Sequence, residues 1–225
     1  MNLEKKKGVI LLSGGLDSST VAGLAKKSGA EIIGLSFDYG QRHKKELEAA
    51  KNIALHLELK ELKIINLDLS LWGGSSLTDI SKELPINGIK QEIIPSTYVP
   101  GRNTIFISVA LSYAEAIEAD FIGLGVNALD YSGYPDCRPD YIFQFQKLAN
   151  LANKRGRENN PIKLWTPLME LNKVEIIQLA FDNDIPVEKT WSCYAGTLNP
   201  CGKCDSCRIR DHAFDQWSGK TSSKL

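Results

Sequence analysis

The chain has 225 residues, with 27 Lys plus Arg against 27 Asp plus Glu, 43% hydrophobic and 24% charged residues. This composition supports a buried core without disulfide staples and excludes global disorder. The zero net charge argues against a protein whose main work is gripping nucleic acid, so a small-molecule substrate is the better expectation. There is no run of 18 apolar residues, so no membrane span is expected. The opening MNLEKKKGVILL lacks the apolar stretch and cleavage site of a leader and reads as a short tail before a first strand.

In chain order, residues 8–13 are a short apolar run followed by glycines, which predicts a buried strand, and residues 20–28 have helical character and stop at Gly29. A strand follows at 31–37, a helix at 44–57 with apolar residues at helical spacing, and a strand at 59–67. Residues 68–100 are rich in Gly and Pro and read as a long functional loop. Residues 104–119 predict an apolar helix, 120–126 a strand, 127–140 a loop, 141–154 a helix, 162–165 a strand and 172–181 a helix. A cysteine segment and a last helical piece near 208–217 complete the chain. Strands alternating with helices predict an α/β, doubly wound, mostly parallel five-stranded sheet over 1–185, with a small cysteine-bearing segment at 186–225. Ligands of such sheets sit beyond the carboxyl ends of the strands, and the loops at 13–19, 38–43, 127–140 and 166–173 all follow predicted strands.

Ser13-Gly14-Gly15-Leu16-Asp17-Ser18-Ser19 stands between the first strand and the first helix. Paired glycines let the backbone turn tightly against a ligand, and amides at a helix start favour an anion. Ser13, Ser18, Ser19 and Thr20 add hydroxyls; Asp17 suits a role through Mg²⁺ or as a helix N-terminal carboxylate. The plain alternative is an ordinary capped turn. Two further glycine strings are discounted. Gly219-Lys220-Thr221 resembles the end of a Walker loop, but Phe214 occupies the upstream glycine position; the glycines of 123–128 lie within a strand rather than after it.

Tyr39, Gln41, Arg42 and His43 follow the second strand, where Arg42 and His43 suit a phosphate or carboxylate, or else form an exposed basic turn. Arg102, in VPGRN, is presented at a helix start and suits the same anions. Asp130, Tyr131, Tyr134 and Asp136 lie in a loop whose rings would stack on a flat heterocycle and whose carboxylates would accept from a guanine-like edge; an irregular loop with packed tyrosines is the alternative. Lys173 begins a helix and either covers a phosphate or belongs to a solvated face. Cys193, Cys201, Cys204 and Cys207 fall within fifteen residues, the rest of the five cysteines being Cys137 alone. Four thiolates at this spacing suit a closed, structural Zn²⁺ site, with an iron–sulfur cluster as the rival.

The SGGxDS string resembles the PP-loop ATP pyrophosphatase superfamily. Taken with FDYGQRH, VPGRN, DYSGYPDCRPD, TPLMELNK and CGKCDSC, it makes the chain similar to the 7-cyano-7-deazaguanine synthase family of queuosine precursor biosynthesis over about residues 8–215. The resemblance implies an ATP site along Leu12, Ser13, Gly14, Gly15, Leu16, Asp17, Ser18, Ser19, Thr20, Val21 and Ala22, with Ser13, Asp17, Arg102 and Lys173 serving catalysis. It implies substrate contacts at Tyr39, Gln41, Arg42, Asp130, Tyr131, Tyr134 and Asp136, and zinc on Cys193, Cys201, Cys204 and Cys207. The implied substrates are 7-carboxy-7-deazaguanine, ammonia and ATP, with Mg²⁺ and Zn²⁺ bound. The implied setting is a cytoplasmic homodimer that touches neither membrane nor nucleic acid. Because that family is bacterial and archaeal, the terminal Ser223-Lys224-Leu225 reads as a chance match to a peroxisomal address. The competing readings are a tRNA-thiolating PP-loop enzyme and a zinc-ribbon nucleic-acid module.

Overall fold

A computed structural model describes residues 1–86, 94–127 and 133–222, the last three of these by backbone alone. Its strands are β1 (Lys7–Leu11), β2 (Glu31–Asp38), β3 (Glu61–Asn66), β4 (Phe121–Gly123) and β5 (Lys163–Trp165). They form one sheet of order β3-β2-β1-β4-β5, and every pairing is parallel. Val9 pairs with Ile33 on one side and Ile122 on the other. Strands buried on both faces need apolar side chains in continuous runs rather than alternation, which is why GVIL and EIIGLSF carry them.

The helices are α1 (Leu16–Lys27), α2 (Lys45–His56), α3 (Arg102–Ala116), α4 (Pro139–Ala152), a short α5 (Lys154–Arg157), α6 (Lys173–Asp182) and α7 (Asp205–Ser222). Ile10 packs into a core shared by α1, α2, α6 and α7, whereas its neighbour Val9 enters the opposite core, filled by α3 and α4. One β-strand thus feeds both layers, as the period-2 alternation of side chains requires. The expected doubly wound parallel sheet is what the chain adopts. Its strand order reverses between β1 and β4, and a crevice at their carboxyl ends follows from that reversal.

Several boundaries differ from expectation. Helix α1 begins at Leu16 rather than at residue 20, because Ser18 and Ser19 donate their hydroxyls back to the Gly15 carbonyl, at 3.1 and 2.8 Å, instead of breaking the helix. The 68–100 segment contains a 3₁₀ turn at Leu69–Trp72 and buries Ser75, Ser76 and Leu77; residues 87–93 lie outside the described residues. The final helix is longer than expected at both ends, and Gly219-Lys220-Thr221 lies inside it rather than in a loop. This helix is fastened to α6 by the Phe181–Trp217 stack, with ring centroids 4.5 Å apart.

Candidate active site

The turn from β1 into α1 is shaped by Gly14, whose φ of +83° is a left-handed conformation natural to glycine. A Cβ there would lie 2.4 Å from the Glu46 carbonyl oxygen and 2.5 Å from the Ala50 nitrogen, so the loop is pressed onto α2. Gly125, beyond β4, comes as close from the other side: its Cβ would meet the Ser18 nitrogen at 2.9 Å. Gly15 is the N-cap of α1 and supplies no side-chain cap. The first amides of the helix are therefore left to a ligand, with the positive end of the helix dipole behind them.

A cavity of about 340 Å³ opens on this helix start, at the crevice where the strand order reverses. Of the eleven residues expected along an ATP site, Leu12, Ser13, Gly15, Leu16, Asp17 and Ser18 line it. Ser19, Thr20, Val21 and Ala22 are fully buried and face the core, since the early start of α1 turns them inward; the Thr20 hydroxyl donates to the Leu16 carbonyl at 2.8 Å. Ser13 stays on the cavity side, its hydroxyl 3.0 Å from that of Ser18.

Asp17 and Lys173 meet at this end of the cavity in an ion pair from the Lys173 Nζ to the Asp17 Oδ2. The Asn127 amide donates to the same oxygen at 3.0 Å. The other oxygen, Oδ1, is buried and has no hydrogen-bond partner among the described residues. A buried carboxylate oxygen left open is a ready ligand for a hard cation such as Mg²⁺. Capping places Lys173: the Asn172 side chain and the Glu175 carboxylate form a capping box that begins α6 at that residue. Arg210, not singled out as a site residue from sequence, also lines the cavity. Its guanidinium donates to the Thr190 hydroxyl at 2.9 Å and the Val187 carbonyl at 2.9 Å, which fixes it in place.

The other end of the cavity is aromatic. Phe37 stacks on Phe106 with centroids 3.9 Å apart, and Tyr39 meets the edge of the same ring at 5.5 Å. Arg102 donates to the Tyr39 hydroxyl at 3.5 Å, and Tyr134 completes the wall while bonding Thr97 at 2.9 Å. Burial pushes the Tyr39 hydroxyl up to about 12, so it stays a neutral donor. Glu46 lines the same space and was not singled out from sequence. Burial pushes its carboxyl up to about 7, against the pull of Arg102. The signal was present: Glu46 lies one turn before Ala50 and two before Ile53, on the apolar stripe of α2, where a charge is out of place.

Other expected contacts are engaged elsewhere. Arg42 donates to the backbone carbonyls of Ser76 at 2.5 Å, Asp79 at 2.9 Å and Lys82, so it clasps the 75–82 segment and does not line the cavity. Gln41 accepts from the Tyr39 amide at 2.7 Å and donates to the Phe37 carbonyl at 3.2 Å, which shapes its own turn. Asp136 accepts from the Asn103 amide at 2.9 Å and so caps α3. Asp130 and Tyr131 lie outside the described residues.

The sulfurs of Cys193, Cys201, Cys204 and Cys207 all lie within 4.8 Å of one another, with Cys201 and Cys207 at 4.0 Å. Such a cage has room for one tetrahedral ion, not for a polynuclear cluster, and four thiolates leave no open coordination position. Backbone amides of Ala195 and Cys201 donate to the Cys193 sulfur at 3.4 and 3.3 Å, and those of Lys203 and Cys204 to the Cys201 sulfur at 3.5 and 3.4 Å. Donors aimed at sulfur stabilise thiolate, as a metal ligand requires. The cage is tied to the helix start as well: the Trp191 amide donates to the Gly14 carbonyl at 2.9 Å, and the Trp191 indole to the Cys193 carbonyl at 2.8 Å.

A family model described as queuosine biosynthesis protein QueC matches residues 7–218. A 7-cyano-7-deazaguanine synthase of Prochlorococcus marinus subsp. pastoris is 77% identical over 98% of each chain. One from P. marinus strain MIT 9301 is 73% identical over the whole of both. Among solved structures, NMN synthetase from Francisella tularensis shares the fold at a TM-score of 0.53 and 16% identity, covering 96% of this chain and 78% of its own.

Proposed function

The chain belongs to the QueC family of queuosine biosynthesis, and on that premise we propose that it is an ATP-dependent carbon–nitrogen ligase that converts 7-carboxy-7-deazaguanine and ammonia to 7-cyano-7-deazaguanine. One observation carries the reading: a single cavity joins an uncapped helix start flanked by Lys173 and Arg210 to an aromatic end holding Arg102. A triphosphate and an aromatic acid have complementary places there.

A carboxylate resists ammonia because oxide is a poor leaving group. In the reading proposed here, a carboxylate oxygen attacks the α-phosphorus of ATP and the bond to pyrophosphate breaks. Pyrophosphate departs against the amides of residues 16–18, with Ser13 donating and Lys173 and Arg210 opposing the growing negative charge. Mg²⁺, held on Asp17 Oδ1 when bound, would add charge neutralisation at the same oxygens. Arg102 orients the acid, since its planar fork suits a carboxylate. Ammonia then displaces AMP to give an amide. A second activation, at the amide oxygen, lets that same oxygen leave as part of AMP while the nitrogen gives up its two protons, and the nitrile remains.

Tyr39 and Tyr134 are the cavity-lining candidates for contact with the heterocycle, Asp130 keeps the role of accepting from its guanine-like edge and Tyr131 that of stacking on it. Zn²⁺ on the four cysteines would be structural, and the tight sulfur cage weighs against the iron–sulfur rival. The protein is read further as a cytoplasmic homodimer. No helix among the described residues is long and apolar enough to cross a membrane, and α4 leaves Phe143, Leu148 and Leu151 exposed for a second copy to cover.

The test is incubation with 7-carboxy-7-deazaguanine, ammonium and ATP, with mass spectrometry of base and nucleotide. The expected products are the nitrile, AMP and pyrophosphate. Absence of AMP, or ADP in its place, would overturn the reading.

A further inference from the structure

We propose that Glu46 is the base that accepts protons from the incoming nitrogen as ammonia becomes the nitrile. The proposal rests on the ligase reading above and extends it to a residue that neither motif nor resemblance assigns.

Ammonia carries three N–H protons and a nitrile carries none, so three protons leave one nitrogen during the reaction. In the first stage the ammonia lone pair bonds to the acyl carbon of the adenylate, and the carbonyl pair moves to oxygen. The nitrogen is then cationic. Glu46 takes one proton, the oxygen pair returns, and the C–O bond to AMP breaks to leave the amide. In the second stage the amide oxygen bonds to phosphorus and pyrophosphate leaves. The nitrogen gives up its remaining two protons as the C–O bond to AMP breaks and the C≡N bond forms. Each proton on Glu46 passes on to solvent or departing phosphate before the next arrives. A single fixed acceptor beside that nitrogen serves every step.

The cavity narrows the choice. Its described lining contains two carboxylates, Asp17 and Glu46. Asp17 is held by Lys173 and Asn127 beside the helix start, where phosphate is expected. Glu46 engages no hydrogen-bond donor among the described residues, and it lies with Arg102 and Tyr39 at the end expected to hold the acid. His43 is turned away, its Nε2 2.9 Å from the Cys193 carbonyl. The Cys137 sulfur accepts from the Asn103 amide at 2.9 Å. Tyr39, at about 12, is too weak an acid to exist as a base near neutral pH. The charged and titratable groups around Glu46 are Arg102 from α3 and Tyr39 from the turn after β2, with Asp17, Lys173 and Arg210 across the cavity. A carboxyl poised at about 7 both takes and releases a proton at neutral pH.

The experiment separates activation from amination in Glu46→Gln. Carboxylate-dependent exchange of labelled pyrophosphate into ATP reports adenylation alone. Ammonia-dependent AMP and nitrile formation report the proton-demanding steps. Hydroxylamine, uncharged at pH 7, reports capture of the adenylate by a nucleophile that needs less help. The substitution is expected to slow ammonia-dependent turnover by ~10²–10³-fold, the span of general-base catalysis, with exchange and hydroxylamine capture slowed by no more than ~5-fold. The wild-type rise of rate with pH near 7, corrected for free ammonia, should disappear. Glu46→Asp, which keeps the charge one methylene away, should recover ~10-fold or more over the Gln variant. Equal loss of exchange and turnover in both variants would overturn the proposal, as would undiminished turnover in Glu46→Gln. Failure of the wild-type enzyme to exchange pyrophosphate would instead remove the ligase reading itself.

Discussion

Lys173 and Asp17, 156 residues apart in the chain, form a part-buried ion pair that joins the first turn of α6 to the first turn of α1. The pair uses one carboxylate oxygen and leaves the other buried without a hydrogen-bond partner among the described residues. Such a pair holds the carboxylate still while Lys173 remains beside the expected phosphates. Asp17→Asn is expected to abolish AMP formation with the far-ultraviolet circular dichroism unchanged. Lys173→Met should lower kcat by ~10²–10³-fold, the usual scale for loss of one group that opposes transition-state charge. It should also destabilise the fold by ~1–3 kcal/mol, since Asp17 loses a charged donor. Turnover with either variant at more than a tenth of the wild-type rate would refute the assigned roles.

The parallel sheet and the glycine turn were legible because their causes are local: continuous apolar runs, β-then-helix alternation, and two glycines directly after a strand. Lys173 was legible as a residue but not as a partner, because its meeting with Asp17 depends on how α6 crosses the sheet. The partners of Arg42 were hidden for the same reason. An arginine in a turn advertises anion binding, whereas its actual acceptors are carbonyls of a segment some 34–40 residues on. Glu46 carried a readable signal, a carboxylate on the apolar face of α2, but its meeting with Arg102 depends on how α2 and α3 pack across the sheet.

Arg42→Ala tests the clasp against a substrate role. With three backbone carbonyls losing their donor, hydrogen exchange across residues 75–82 should speed up, by an opening free energy lower by ~2–3 kcal/mol. Adenylation should respond through this loosening, and Arg42→Lys should rescue it only in part, since an ammonium cannot reproduce a fork of donors. A large rise in KM for the carboxylate substrate with no change in exchange protection would show instead that Arg42 touches substrate.

Removal of the metal should act at a distance. Cys204 directly precedes α7, Cys207 lies in its first turn and Arg210 follows one turn later, so the cage sets where that guanidinium enters the cavity. The purified protein should be colourless and carry one zinc per chain by elemental analysis. Cys204→Ser should lose the ion and lower Tm by on the order of 10 °C, given the folding free energy that structural zinc contributes. Both changes should lower pyrophosphate exchange, but Arg210→Ala in the zinc-replete protein should do so with a loss of stability of no more than ~1–2 kcal/mol. A metal-free wild-type protein with the same Tm would rule out the structural site.

Glu46 also predicts how stability follows pH. Its carboxyl is raised from 4.5 to about 7 by burial, so the folded chain holds this proton more tightly than the unfolded chain does. The contribution is fully present below pH 4.5 and is lost as pH rises through about 7. Glu46→Gln, neutral at every pH, lacks this dependence. Relative to wild type, the Gln variant should therefore gain stability between pH 5 and 8, by on the order of 1–3 kcal/mol after allowance for water in the open cavity. Urea unfolding of both proteins at pH 5 and pH 8 measures the difference. A gap that is the same at both pH values would mean that the carboxyl is already ionised in the folded state at pH 5. A group in that condition is too weak a proton acceptor for the amination role, so the stability curve and the kinetic split test the same property of one side chain by independent means.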